Sequence, residues 1–163
     1  MIGLMEYTIR RGEPVSDEIK RIVEGKIEAG IEHIDGNMDR HETVHEVRKR
    51  CKEVRAAARL VRPVLPTYSE VNAHYRDAAR RISDIRDAHA AIETFDDHVR
   101  PAAEDEERLV ADTLDGVRET LVNRREEVAT EQDLDQRLAT VRADLVEGRE
   151  RVPDFRRPPA TAS

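Results

Sequence analysis

Two groups of side chains in this sequence have the types and the spacing for chemistry. The first is His41-Glu42-Thr43-Val44-His45, an H-E-x-x-H string. On a helix it sets two imidazoles one turn apart on one face, the arrangement that grips zinc while the glutamate serves as general base. Catalytic zinc also needs a third ligand and an open, water-bearing position, and Glu70 or His74 are candidates for that ligand. Against this, Arg48, Lys49 and Arg50 follow at once with charges that repel a dication, and no H-x-x-G-x-x-H extension follows. The bland reading makes His41 an exposed first-turn residue and gives His45 to the second group.

That second group is a row of cations. At about 100° per residue, His45, Arg48, Lys49, Lys52, Arg55, Arg59 and Arg62 fall on one side of a helix, beside an apolar strip of Val47, Cys51, Val54, Ala58 and Val61. A cation row that borders a packing seam runs along a groove, where partial desolvation strengthens its pull on anions. Arg48 with Lys52 and Arg55 with Arg59 are like-charge i,i+4 pairs, each costing roughly 0.2–0.5 kcal/mol on an isolated helix. Only Glu46 and Glu53 relieve them nearby. A charge run of this kind is ordinarily a solvated face that keeps a helix soluble. Two features favour binding instead. The chain carries a formal net charge of -7, yet residues 45–89 hold 11 Arg or Lys against 6 Asp or Glu, so the positive excess is confined to one stretch. The next helical stretch then adds Arg76, Arg80, Arg81 and Arg86. Arg86 borders the apolar strip there, beside Ile82 and His89, and is expected to face inward with Asp87 or a ligand as its partner, whereas Arg81 lies about 140° around from it.

The elements that must hold these groups read as helices throughout. After a short extended lead-in at Tyr7 to Arg11, Pro14 and Ser16 signal a start, with Asp17 and Glu18 in the first turn. Ile19, Ile22, Val23, Ile27, Ile31 and Ile34 then recur at helical spacing up to the turn cluster Asp35-Gly36-Asn37. The cation row belongs to a second helix, from Asp39 to about Arg62, beyond which Pro63 and Pro66 disfavour further turns. A third is predicted over 69–95 on a seam of Val71, Ala78, Ile82, Ile85, His89 and Ile92. Pro101 is expected to open a fourth, on Val110, Leu114, Val117, Leu121 and Val128. Thr130 with Asp133 looks like the cap of a fifth, whose Leu134, Leu138, Val141 and Leu145 share one stripe and which is expected to stop around Gly148. No strand pattern of any length survives. The expected fold is all-α, an antiparallel bundle of four to five helices over residues 1–150 followed by a loose, flexible tail over 151–163.

Composition agrees with that picture. A chain of 163 residues is one ordinary domain, and 39% charged against 3% aromatic residues suits exposed helices joined by thin aliphatic seams. The lone Cys51 excludes an intramolecular disulfide and is expected to be a small core residue, as His89 is expected to be a satisfied core histidine. No apolar run is long enough to cross a bilayer, and the start MIGLMEYTIRR is too short a hydrophobic stretch for a signal peptide, so no membrane role and a cytoplasmic home are expected. With no Gly-rich phosphate loop and no Ser/His/Asp arrangement, neither a reaction nor a cofactor is assigned.

The string HETVHEVRKRCKEVRAAARLVRPVLP, followed by RDAARRISDIRDAHAAIE, resembles the conserved histidine α-helical domain, the CHAD family. The family's first helical hairpin carries a His-x-x-Arg-basic pattern, which His45, Arg48, Lys49, Lys52 and Arg55 match. Its next helix carries an Arg-Asp pair, matched by Arg81, Arg86 and Asp87. The stretch from Tyr7 to Ile34 also looks like the family's entrance helix, so the resemblance covers residues 6–98. It implies a bundle with a basic groove that binds inorganic polyphosphate, here through the cation row together with Arg80, Arg81 and Arg86, in the cytoplasm or on polyphosphate granules. Ser83 departs from the family, standing where a Gly commonly precedes the Arg-Asp pair, which alters packing at that turn. The chain is also about half the usual family length, and the family groove is lined by two related four-helix bundles. A truncated form, or a half of the double bundle that completes its groove as a C2 homodimer, is therefore expected.

Two other partner classes bear on the same residues. Nucleic acid would attract the same cations, but stacking platforms are few: Tyr7, Tyr68, Tyr75, Phe95 and Phe155 are the only aromatics, and the expectation is that nucleic acid is not the ligand. A structural bundle with a protein partner draws support from the long, charged fourth and fifth helices and the acidic patch Glu104 to Glu107.

Overall fold

The computed structural model describes residues 14–103 and 108–155, apart from the side chains of 108–110. The lead-in Tyr7 to Arg11, the acidic patch Glu104 to Glu107, the side chain of Val110 and the tail from 156 onward lie outside the described residues. The fold is all-α. Helix α1 (Val15–Asp35) places all six of its expected isoleucines and valine in the core and closes at Gly36, whose N–H donates to the Glu32 carbonyl. Asp39 then caps α2 (Arg40–Leu60), accepting from the His41 and Glu42 amides at 3.0 and 3.2 Å. Such a cap stabilises a helix start by about 1 kcal/mol. The buried strip of α2 is Val44, Val47, Cys51, Val54, Ala57 and Ala58, packed on α1. A single 3-10 turn, Arg62–Val64, follows where the two prolines end the helix.

The single helix predicted over 69–95 is two. Helix α3 (Tyr68–Arg80) stops, and α4 (Ser83–Thr94) starts in a new direction after Ile82, which has φ -123°. The Ser83 hydroxyl donates to the Ala79 carbonyl at 3.0 Å, while the Ile82 amide reaches the same carbonyl only at 3.4 Å, so the α-helical ladder gives way to tighter bonds. Ile82 itself is fully buried and pins the bend into the core.

A second correction concerns Pro101, which does not open a new helix. Helix α4 runs on through a π turn at Phe95–Val99 into the short α5 (Arg100–Ala103), with Pro101 inside it. Proline lacks an N–H and crowds the carbonyl of the preceding turn; the wider π turn, where the Arg100 amide reaches back to the Phe95 carbonyl, gives the ring room. Helix α6 (Arg108–Val128) follows and packs on α4. Its expected seam is only half covered: Leu114, Leu121 and Val128 are half-buried and Val117 is 43% exposed. Ion pairs add to this partial apolar cover. Arg118 makes a two-pronged contact with Asp96 at 2.8 and 3.0 Å, and Arg100 bonds Asp115 at 2.6 Å.

Helix α7 (Glu131–Arg151) begins with a reciprocal capping box between Thr130 and Asp133, as the sequence reading had it, and buries Leu134, Leu138, Val141 and Leu145. It passes Gly148 without stopping. That glycine is where the Tyr75 ring of α3 crosses α7: a methyl there would lie 2.2 Å from the Tyr75 hydroxyl. Of the stretch read as tail, Val152 and Phe155 are buried in the core. The main core is therefore α1, α2, α3 and α7 with the first turn of α4, whereas Ala88, Ile92 and Phe95 are buried apart from it, where α4 meets α6. Among the described residues no helix is long and apolar enough to cross a membrane.

Candidate anion-binding site

The bend at 81–82 decides which cations meet. It swings α4 across α2, so that His45, Arg48, Lys49 and Lys52 of α2 face Arg86, Asp87 and Ala90 of α4 around an open depression of about 410 Å³. Arg48 and Arg86 are its inner cations, 21% and 19% exposed, while His45 and Lys49 stand at the rim, half exposed. Lys52 has no ion-pair partner among the described residues. Arg48 reaches Asp87 only loosely, at 3.5 Å, and keeps a buried Nε with no hydrogen-bond partner. Two helices thus bring five basic side chains to one concavity, enough to hold an anion by guanidinium forks and point charges.

The other candidates are held elsewhere. Arg55 is tied down by Asn72, its Nε donating at 2.9 Å, and Arg62 lies over the Tyr68 ring, 5.1 Å from its centroid. Arg59 is exposed farther along α2 and does not line the depression. Arg80 sits 3.9 Å from Asp77, and Arg81 donates to Asp144 of α7 at 3.0 Å; neither lines the depression. The bend explains the split: without it one helix would have carried 80, 81 and 86 at fixed angles, but Arg81 stays with α3 and Arg86 leaves with α4.

Arg86 faces inward as expected, with a different partner. Its Nη1 donates to Glu93, two turns along α4, at 2.6 Å, and this guanidinium holds the Glu93 carboxyl below its usual 4.5. Glu93 belongs to a second concavity, about 300 Å³, which shares His45 and Arg86 with the first and adds Asp39, His41, Glu42 and His89. His41 is not the exposed first-turn residue of the bland reading: its ring stacks on His89 with centroids 4.7 Å apart and planes 9° from parallel. His89 points one nitrogen at Glu93, 3.6 Å away, and buries the other without a partner. Burial holds both imidazoles below 6.5, helped by each other's charge at His41 and by Arg125 and Arg86 at His89. Sequence reasoning passed over Glu93; its i,i+4 spacing from His89 was the available signal.

The two histidines of the H-E-x-x-H string line that second concavity, but neither Glu70 nor His74 joins them there. Glu70 and His74 line a separate concavity with Tyr75 and Gly148, where His74 Nε2 lies 2.7 Å from the Asp144 carbonyl oxygen. Among the described residues, no three His, Cys, Asp or Glu side chains are grouped so as to hold a metal ion. Cys51 is fully buried, and desolvation pushes its thiol up to about 12, far from the reactive thiolate form.

No curated protein and no solved structure matches the chain. A family model does: that of the CHAD domain matches residues 22–160, which takes in α2, the bend, α4, α6 and α7 together. The match spans most of the 163 residues and includes the helices that build the depression, so the chain belongs to the CHAD domain family.

Proposed function

We propose that this chain is a binding module for inorganic polyphosphate, with no reaction of its own, and that the depression between α2 and α4 is where the polyanion lies. The observation that carries the reading is the convergence of His45, Arg48, Lys49, Lys52 and Arg86 from two helices on one open concavity in a chain of net charge -7. Positive charge focused there against a negative background draws a linear polyanion to that face alone. Membership of the CHAD family supports the ligand class. Open on one side, the depression also suits a second copy of the chain as its other wall, which is the homodimer of this reading.

The test is calorimetry with long-chain polyphosphate at low and raised salt, with single- and double-stranded DNA as competitors. The wild type is expected to bind with affinity that falls as salt rises, and Arg48→Ala/Lys52→Ala/Arg86→Ala to lose at least about tenfold, the equivalent of 1.4 kcal/mol spread over three charged contacts. Binding that DNA displaces as well as polyphosphate does, or that the triple variant retains, would sink the reading. A partner-binding bundle is the second reading, and the half-covered seam of α6 favours it.

A further inference from the structure

The most enclosed cation of the depression is already occupied. Arg86, 19% exposed, holds the Glu93 carboxylate at 2.6 Å, the shortest contact in the site. The other oxygen of Glu93 lies 3.6 Å from His89 Nε2, so the carboxylate bridges a guanidinium and an imidazole. Glu93 is itself 49% exposed and lines the second concavity, which shares Arg86 and His45 with the first. The stack of His89 on His41 keeps that imidazole in place. By contrast Asp87, 76% exposed and 3.5 Å from Arg48, is a loose rim contact.

We propose, resting on the polyphosphate reading, that Glu93 is the specificity-determining residue of this site: its carboxylate occupies Arg86 as an internal competitor, and an anion gains Arg86 only by displacing it. Every ligand that takes Arg86 meets the same displacement cost. A small anion such as pyrophosphate bears it on its only anchoring contact. A long chain avoids it by leaving Arg86 with Glu93 and lying on Arg48, Lys49 and Lys52, because once one phosphate is anchored its neighbours are held at high local concentration beside the other two cations. Glu93 therefore filters anions by chain length and excludes isolated phosphates and carboxylates.

The experiment measures affinities for pyrophosphate and for long-chain polyphosphate in the wild type, Glu93→Gln and Asp87→Asn, with melting curves confirming that all three fold. Glu93→Gln is expected to tighten pyrophosphate binding by about two- to fivefold, the worth of one solvent-exposed ion pair, and long-chain binding by a smaller factor. Asp87→Asn removes the same charge at the rim and is expected to act weakly and alike on both ligands. If Glu93→Gln leaves pyrophosphate unchanged, or if Asp87→Asn reproduces its effect, the filter is overturned even where the wild type binds long chains well. If the wild type ignores long chains but Glu93→Gln gains pyrophosphate, the filter stands and the polyphosphate reading falls. Silence of every variant toward both ligands overturns both.

Discussion

His41 and His89 lie face to face with a buried, partnerless Nδ1 on each ring, and Arg125 adds a cation nearby. Burial holds both below 6.5, joined by the charge of His89 at His41 and by Arg125 and Arg86 at His89. A histidine depressed in the folded state takes up its proton first in the unfolded chain; its neutral form stabilises above 6.5, and that stability drains away as pH falls below it. Carboxylates held down in the fold, such as Asp39 and Glu93, give up their contributions only below 3.8 and 4.5. The melting temperature is therefore expected to fall between about pH 7 and pH 5, and His89→Leu to flatten that decline. A wild-type melting temperature that is level across this range would contradict the account. Five of the ten cations proposed from sequence do meet; four of them were legible because helical periodicity places side chains well within the unbroken α2, while Arg86 joins them from α4 across the bend. Glu93 was not legible as a competitor, because its meeting with Arg86 depends on two side chains lying along the helix axis across two turns.

Between elements, periodicity alone was less informative. Nothing in Arg80-Arg81-Ile82-Ser83 spells a helix end: there is no Gly and no Pro, and the break depends on a serine hydroxyl and a buried isoleucine. The α6 strip reads as core because an apolar stripe says which face wants a cover but not whether one is supplied. Gly148 was read as a helix stop because Gly is common just past helix ends, yet it serves close approach. This last point is testable with a matched pair. At Gly25 of α1, exposed, a methyl meets nothing within 4 Å, so Gly25→Ala is expected to stabilise by about 0.5–1 kcal/mol through helix propensity. Gly148→Ala drives the same methyl into Tyr75, which is 2% exposed, and is expected to destabilise by about 1–3 kcal/mol. Denaturant unfolding of the two variants reads both signs, and stabilisation by both would show that Tyr75 yields freely.

Taken whole, the chain is a core of four long helices with α4, α5 and α6 set to one side, and the depression lies where the two parts meet. If a second copy supplies the missing wall, light scattering is expected to give twice 18.6 kDa at workable concentrations, moving toward one as the protein is diluted. A mass of one chain throughout would remove the homodimer and leave the depression as it stands. Salt reaches this molecule at a further point. Helix α6 has no buried side chain among those described, and its contacts Arg118 on Asp96 and Arg100 on Asp115 are half-exposed ion pairs. Ion pairs in such positions weaken as the Debye length contracts, whereas the aliphatic core of α1, α2, α3 and α7 does not. Raised ionic strength is therefore expected to loosen α6 on α4 before it affects the core, leaving the apolar contact at Ala88, Ile92 and Phe95 to hold the helix.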